Sequence, residues 1–234
     1  MKNSNLMVQS LQIKLIKKEK LTPDTFKYTF SSPLNFEYQP GQFLTFTIEQ
    51  GGERKSRSYS IFDYNPAKKE FIFLIKIVAG GFAGSVFEKM EIGQEFAAKG
   101  PLGHFTFVPD LSPEHWFIGC GCGLAPLYNM ITNYIKKFPD KKFVLLFSVK
   151  KKADLILHQE LQELEKKQAN FTYLPTLTRE EWAGKTGRVQ KYLPSDLSMK
   201  TFYICGIKEL VISVKDLLLE KGVATEKVKF ERYS

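Results

Sequence analysis

The sequence predicts two domains: an N-terminal antiparallel Greek-key β-barrel over residues 8–110, then a C-terminal doubly wound parallel sheet over residues 111–234. Three observations predict this. The first half is a series of short alternating apolar runs divided by turn residues. The second half alternates apolar runs with helical patterns, the signature of strand–helix–strand units. Between them, Asp110-Leu111-Ser112-Pro113 reads as a boundary. A chain of 234 residues is long for one domain and comfortable for two.

In the first half, residues 11–16 and 26–30 alternate apolar and polar, with Pro23-Asp24 turning the chain between them. Pro40-Gly41 opens the run 43–48. Gly51-Gly52 then leads into a strand that carries Arg57-Ser58-Tyr59-Ser60. Asp63-Tyr64-Asn65-Pro66 turns into the strand 70–78. Residues 79–85 form a small-residue loop, and 86–90 give one or two helical turns, with Ser85 available as the cap. Gly93-Gln94 and Gly100-Pro101-Leu102-Gly103 bring the barrel to its end. In the second half the predicted strands are 116–119, 143–149, 171–177, 202–206 and 227–231. The predicted helices are 127–138, 155–168 and 211–221, with Gly222 past the end of the last.

Composition is that of a globular protein with material for a sizeable core. The longest apolar runs fall well short of the ~20 residues a spanning helix needs, and Met1-Lys2-Asn3-Ser4-Asn5 lacks a signal-peptide apolar region, so the expected location is cytoplasmic. Cys120, Cys122 and Cys205 cannot make a complete disulfide framework, nor fill a four-thiolate iron–sulfur site. The net charge of +9 divides into +3 for residues 1–110 (14 basic, 11 acidic) and +6 for residues 111–234 (20 basic, 14 acidic). The chain carries no helix-turn-helix, RNA-binding or zinc-finger pattern, so the basic balance points to acidic protein partners or nucleotide phosphates rather than nucleic acid.

Arg57, Ser58, Tyr59 and Ser60 offer a fixed cation, an aromatic face and two hydroxyls on one strand, which suits a ligand with a diphosphate and a flat ring. Ala83, Gly84 and Ser85 lie where a glycine-rich loop enters a helix, an arrangement that presents unpaired N–H groups to an anion. Gly119, Gly121 and Gly123, between a strand and a helix, permit close approach of backbone to a second diphosphate. His104, His115 and His158 have no metal-ligand spacing, and no metal is expected. No Ser-His-Asp triad or phosphate-binding Walker loop is present.

Arg-x-Tyr-Ser at 57–60, the loop 81–85, Gly-Pro-Leu-Gly at 100–103, Gly-x-Gly-x-Ala-Pro at 121–126, Cys-Gly at 205–206 and Glu-x-Tyr at 231–233 together resemble the ferredoxin–NADP⁺ reductase family, in its two-domain form without an iron–sulfur domain. The resemblance covers nearly the whole chain. It implies that Arg57 holds the FAD pyrophosphate, Tyr59 stacks on the isoalloxazine, and Ser60 hydrogen-bonds near flavin N5. It implies that Ala83, Gly84 and Ser85 bind the pyrophosphate from the other side. Gly121, Cys122, Gly123 and Pro126 would face the nicotinamide dinucleotide, with Cys205-Gly206 placing a thiol beside the nicotinamide. Glu231 and Tyr233 match the family's acidic and flavin-covering aromatic residues. Ser60, Cys205, Glu231 and Tyr233 are thus the expected catalytic residues. Thr178 and Arg179, just past the third parallel strand, stand where NADP-using members carry a hydroxyl and a cation for the 2′-phosphate, which favours NADPH over NADH. The chain departs from the family pattern at Cys122 (usually Thr), at Ser148-Val149-Lys150 (usually Gly-x-Arg), at Ile207-Lys208 (a proline expected) and at Ser234, one residue beyond the matched tyrosine.

The expected function is therefore FAD-dependent transfer of a hydride between NAD(P)H and flavin, and of single electrons to a carrier such as ferredoxin or flavodoxin, or to an oxygenase component. The alternatives are a flavin reductase that releases reduced flavin, and, in another class, a non-catalytic binding module that keeps the fold.

Overall fold

The structure, a computed structural model, describes residues 6–233; Ser234 and the N-terminal stretch 1–5 lie outside the described residues. The chain divides between Thr106 and Phe107 into two compact units.

In the first unit, strands β1 (Gln9–Lys20), β2 (Thr25–Ser31), β3 (Phe43–Gln50), β4 (Glu53–Ser60), β5 (Asp63–Asn65) and β6 (Glu70–Lys76) precede helix α1 (Phe82–Lys89) and strand β7 (Glu95–Leu102). They pair in the order β4-β3-β7-β1-β2-β6-β5, every neighbour antiparallel. The sheet curls into a half-barrel whose β4 end comes up against β6. Leu11, Ile13 and Leu15 of β1 are buried in alternation, as a strand with one wet face requires. The interior is aromatic. Phe30, Phe46 and Phe73 are fully buried, and Phe46 meets Phe30 and Phe73 edge-to-face at 5.6 and 5.0 Å between centroids. Gly100 of the Gly-Pro-Leu-Gly motif is a packing requirement, since a Cβ there would stand 2.3 Å from Leu44 of β3.

Helix α1 begins at Phe82, four residues before the predicted start, and Gly81 rather than Ser85 is the capping residue, with no side-chain cap. The reason is steric. A Cβ on Gly84 would lie 2.7 Å from the Val78 carbonyl, so small residues let the first turn of the helix sit on the preceding chain instead of looping away. Ser85 lies inside the helix, its hydroxyl 2.9 Å from the Phe82 carbonyl and 2.8 Å from Gln50 Oε1. The far end of α1 is fastened by Tyr28, whose hydroxyl donates to the Phe87 carbonyl (2.8 Å), and by Lys18, whose ammonium donates to the carbonyls of Phe87 and Glu88.

In the second unit, β8 (Glu114–Cys120), α2 (Leu124–Tyr134), β9 (Lys142–Val149), α3 (His158–Lys167), β10 (Phe171–Leu177), β11 (Lys185–Thr186), β12 (Lys200–Ile207), α4 (Lys208–Glu220) and β13 (Val228–Tyr233) follow in order. The sheet runs β11-β10-β9-β8-β12-β13 with every pair parallel. Both faces are covered, which is why β9 reads as an unbroken apolar run: all but its first residue are buried. On one face Val211, Val214 and Leu218 of α4 pack on Trp116, Ile118, Val144, Leu146, Phe202 and Ile204. On the other, Phe117 stacks on Tyr203 (5.0 Å) and Phe143 (5.8 Å), and Phe107 joins them. Helix α3 starts at His158, three residues late, because Leu157 takes a left-handed φ of 54° and ends the preceding turn. The two-residue β11 was not foreseen; it is too short to show a period.

From β8 the chain winds outward one way through β9, β10 and β11, then returns to β12 on the other side of β8. Strands β8 and β12 therefore flank the point where winding reverses, and the crevice at their carboxyl ends is where such sheets take ligands.

Candidate functional site

The predicted residues of the first unit converge on β4 and α1. Pairing with β3 sets Phe46 opposite Arg57, Thr45 opposite Ser58, Leu44 opposite Tyr59 and Phe43 opposite Ser60. Arg57 and Ser58 are exposed, Tyr59 is half-buried and Ser60 is buried. The Arg57 guanidinium donates to the carbonyl of its own neighbour Ser56 at 2.8 Å, and the Ser58 and Thr45 hydroxyls lie 3.0 Å apart. Tyr59 rests on Phe46 and edge-on against Phe87 of α1, each 5.3 Å between centroids, so the core fixes the ring while part of it faces outward.

Two further contacts bring the start of α1 beside the β3–β4 hairpin: the Ser85–Gln50 hydrogen bond, and the Lys55 ammonium 4.4 Å above the Phe82 ring. Arg57, Tyr59 and the first turn of α1 with Ala83 and Ser85 thus lie side by side, whereas Gly84 is buried beneath them and the Ser85 N–H is already donated to the Gly81 carbonyl. The first N–H groups of that helix have no acceptor within it, and they add a positive end to the Arg57 cation. Gln50 and Lys55 were not singled out in the sequence. For Lys55 the available signal was its position two residues before Arg57, on the same face of the strand.

In the second unit the candidates meet at the reversal point. Cys120 ends β8, and Gly121–Gly123 form a 3-10 turn that leads directly into α2. Pro126 stands in the first turn of α2, where a missing N–H costs nothing. Three glycines are there for close approach. A Cβ on Gly123 would stand 2.3 Å from the Cys205 carbonyl oxygen, one on Gly119 2.7 Å from Leu127, and one on Gly206 2.6 Å from the Cys120 sulfur. Gly121 is different: it has φ +53° and meets nothing within 4 Å on its outer side. The turn is pressed onto β12 from within and open from without, the shape that lets a diphosphate reach its backbone.

Cys205 lies opposite Gly119 on one side and Glu231 of β13 on the other. It is fully buried. Burial pushes its thiol well above the ordinary range, the Glu231 carboxylate pushes the same way, and a hydrogen bond from Tyr233 opposes them. Cys205 is accordingly a neutral thiol at physiological pH, a group of fixed shape rather than a nucleophile. Glu231 and Tyr233 are half-buried on the edge strand.

Thr178 and Arg179 lie apart from that centre, past the end of β10 and two strands from β8. Their loop is tied to the end of β9: Thr178 N–H donates to the Val149 carbonyl and Arg179 N–H to the Lys150 carbonyl, both at 2.9 Å. Glu180 accepts from the Lys152 N–H at 3.0 Å. Arg179, Lys150, Lys151 and Lys152 are exposed together there. A hollow of about 640 Å³ lined by Ser112, Leu197, Lys200, Lys221, Val223 and Lys227 lies instead at the amino ends of β12 and β13, away from every candidate residue. Among the described residues no group of three His, Cys, Asp or Glu side chains is placed to hold a metal ion, and no helix is long and apolar enough to cross a membrane.

Known proteins are similar to this chain in sequence and in fold. Residues 12–107 match the oxidoreductase FAD-binding domain and residues 117–216 the oxidoreductase NAD-binding domain. The chain is 28% identical over 207 residues to the glycine betaine monooxygenase reductase subunit of Pseudomonas aeruginosa, covering 85% of this chain and 57% of that protein. It is 28% identical over 210 residues to ferredoxin–NADP reductase B of Sorangium cellulosum, covering 85% of this chain and 86% of the other. In fold it is like the cytochrome P450 reductase GcoB of Amycolatopsis (TM-score 0.89, 21% identity, 97% of this chain and 71% of that one). It is also like a ferredoxin NADP⁺ reductase of Neisseria gonorrhoeae solved with FAD and NADP bound (TM-score 0.83, 21% identity, 95% and 98%). An FAD-binding domain followed by an NAD-binding domain, with the half-barrel and doubly wound sheet that carry them, places the chain in the ferredoxin–NADP⁺ reductase family.

Proposed function

We propose that the chain is an NAD(P)H-dependent flavoprotein reductase that holds FAD as a prosthetic group and passes electrons to a small carrier protein such as ferredoxin or flavodoxin, or to an oxygenase component. The observation that carries this reading is the turn at Gly121–Gly123, closed against β12 by Gly123 and Gly206 and open on its outer side at Gly121. The residues present fit both dinucleotides. In the first unit the Arg57 cation, the half-exposed Tyr59 ring and the start of α1 supply a charge, a flat face and N–H donors on one surface. Bound there, FAD supplies the hydride and one-electron chemistry.

The protein's own residues do the rest. Arg57 and α1 neutralise pyrophosphate, Ser58 and Ser60 offer hydroxyl hydrogen bonds, and Tyr59 gives a stacking surface fixed from behind by Phe46 and Phe87. In the second unit Gly121, Cys122, Gly123 and Pro126 shape the approach of the nicotinamide dinucleotide. Cys205 lies buried behind the turn as a neutral thiol, Gly206 leaves room for the Cys120 sulfur, and Glu231 and Tyr233 stand beside them on the edge strand. Arg179 with Thr178, beside Lys150, favours NADPH through its 2′-phosphate. Three thiols with no disulfide accord with a cytoplasmic location. Desalting tests the prosthetic role: the parent protein keeps its FAD, whereas Arg57→Ala loses affinity by roughly tenfold or more, since charge-assisted hydrogen bonds contribute about 1.5–3 kcal/mol. Equal retention in both would remove Arg57 from the site, and loss of flavin from the parent would favour a reductase that releases reduced flavin.

A further inference from the structure

All three cysteines of the chain gather at the carboxyl ends of β8 and β12, yet they are not equivalent. Cys205 is fully buried, whereas Cys120 and Cys122 are half-buried. The pairing of Cys205 with Gly119 sets its side chain on the face that Gly119 leaves empty, so Cys120, the next residue, points to the opposite face. The position of its sulfur agrees, 2.6 Å from where a Gly206 Cβ would be. Cys120 and Cys205 thus project from opposite faces of the sheet, although Cys120 and Cys122 both lie near enough to push the Cys205 thiol further up. Only Gly121 separates it from Cys122, and that glycine bends the chain back with φ +53° and is open on its outer side. Cys122 stands just before the first turn of α2.

We propose that Cys120 and Cys122 are a covalent modification site for small-molecule disulfides, at which a Cys120–Cys122 bond closes reversibly across Gly121. One thiolate attacks the disulfide RSSR, forming a mixed disulfide and releasing one RSH after protonation. The second thiolate then displaces the other RSH, so two protein thiols and RSSR become one protein disulfide and two RSH. A ring closed over a single residue is tight, and strained disulfides are the easily reduced ones, so thiols reverse the bond. Cys205, buried and neutral, takes no part. Closing the ring draws Cys122 and the backbone of Gly121 inward and withdraws the turn from the nicotinamide dinucleotide, a consequence that rests on the function proposed above.

The test uses the full chain incubated natively with oxidised glutathione, read by intact mass, alkylation and peptide mapping. The expected product has lost two hydrogens, carries a Cys120–Cys122 link, and leaves Cys205 to be alkylated only after unfolding. Cys120→Ser should stop at a mixed disulfide on Cys122. The KM for NADPH should rise about tenfold in the closed form and recover with dithiothreitol, as a loss of about 1.4 kcal/mol of binding gives. Three persistent thiols, a lasting mixed disulfide in the parent, or a bond to Cys205 would overturn the site. Ring closure with an unchanged KM would overturn the coupling to nucleotide. The thiol readout needs neither flavin nor nucleotide, so a protein that closes the ring but does not oxidise NADPH contradicts the proposed function alone.

Discussion

Arg179 and Glu231 show how differently two predicted residues can be placed. Arg179 is exposed beside Lys150 on a loop whose backbone is tied to the end of β9, so its guanidinium offers a charge without holding the fold. Arg179→Ala should therefore raise the KM for NADPH by about tenfold and leave that for NADH nearly unchanged, as expected for a lost charge-assisted contact to one phosphate. Equal effects on the two nucleotides would end the assignment. Glu231 is half-buried on an edge strand, opposite the buried Cys205 thiol. Glu231→Gln should slow hydride transfer, followed by stopped-flow absorbance, by roughly tenfold or more while FAD stays bound. A rate equal to the parent would remove it from the reaction. Short motifs single both residues out as candidates. The full burial of Cys205 was not, because it depends on β8 and β13 closing over β12 from distant parts of the chain.

Among the elements, the turn between β8 and α2 separates two reasons for glycine. At Gly123 the obstacle is the Cys205 carbonyl, 2.3 Å from a would-be Cβ, and backbone cannot swing aside. Gly123→Ala should cost about 2–3 kcal/mol in urea unfolding, in the range of overpacking, and weaken nucleotide binding with it. At Gly121 the outer side is open and only φ +53° opposes a side chain, so Gly121→Ala should cost about 1 kcal/mol. Equal costs would mean that the turn relaxes away from β12. Spacing in the sequence marked both glycines but could not rank them, since the rank is set by a strand more than eighty residues later. Strongly periodic elements such as β1 and α4 were legible for the same reason that they are stable, a continuous apolar face. The start of α1 was misread because its capping preference gave way to the close packing of Gly84 on Val78.

At the scale of the whole molecule, the second unit carries an acid-sensitive knot below its sheet. The Asp110 carboxylate accepts from Lys227 Nζ and Thr201 Oγ1, both at 2.6 Å, and these bonds, against the opposing effect of partial burial, hold its pKa well below the usual carboxylate range. His115 is fully buried among Phe107, Phe143 and Tyr203, and burial lowers its pKa to about 4, with Lys141 and Lys227 adding to the effect and Asp110 opposing it. A depressed histidine binds fewer protons folded than unfolded, so its stabilising effect is present above its ordinary value of 6.5 and is lost as pH falls towards 4. The loss should reach roughly 3 kcal/mol across that window, at about 1.4 kcal/mol per pH unit. Asp110 adds a loss of the same sign at lower pH. His115→Phe should flatten the upper part of the profile in urea unfolding, and an unaltered slope would show that another group titrates there.

Flavin that a nicotinamide nucleotide reduces is the central requirement of the proposed function. The direct measurement is a visible spectrum of the purified protein without added flavin, followed anaerobically by NADH and, in a separate sample, NADPH. Bound FAD should give its two visible bands, and NADPH should bleach them at lower concentration than NADH. A colourless protein that stays colourless after incubation with FAD would contradict the account.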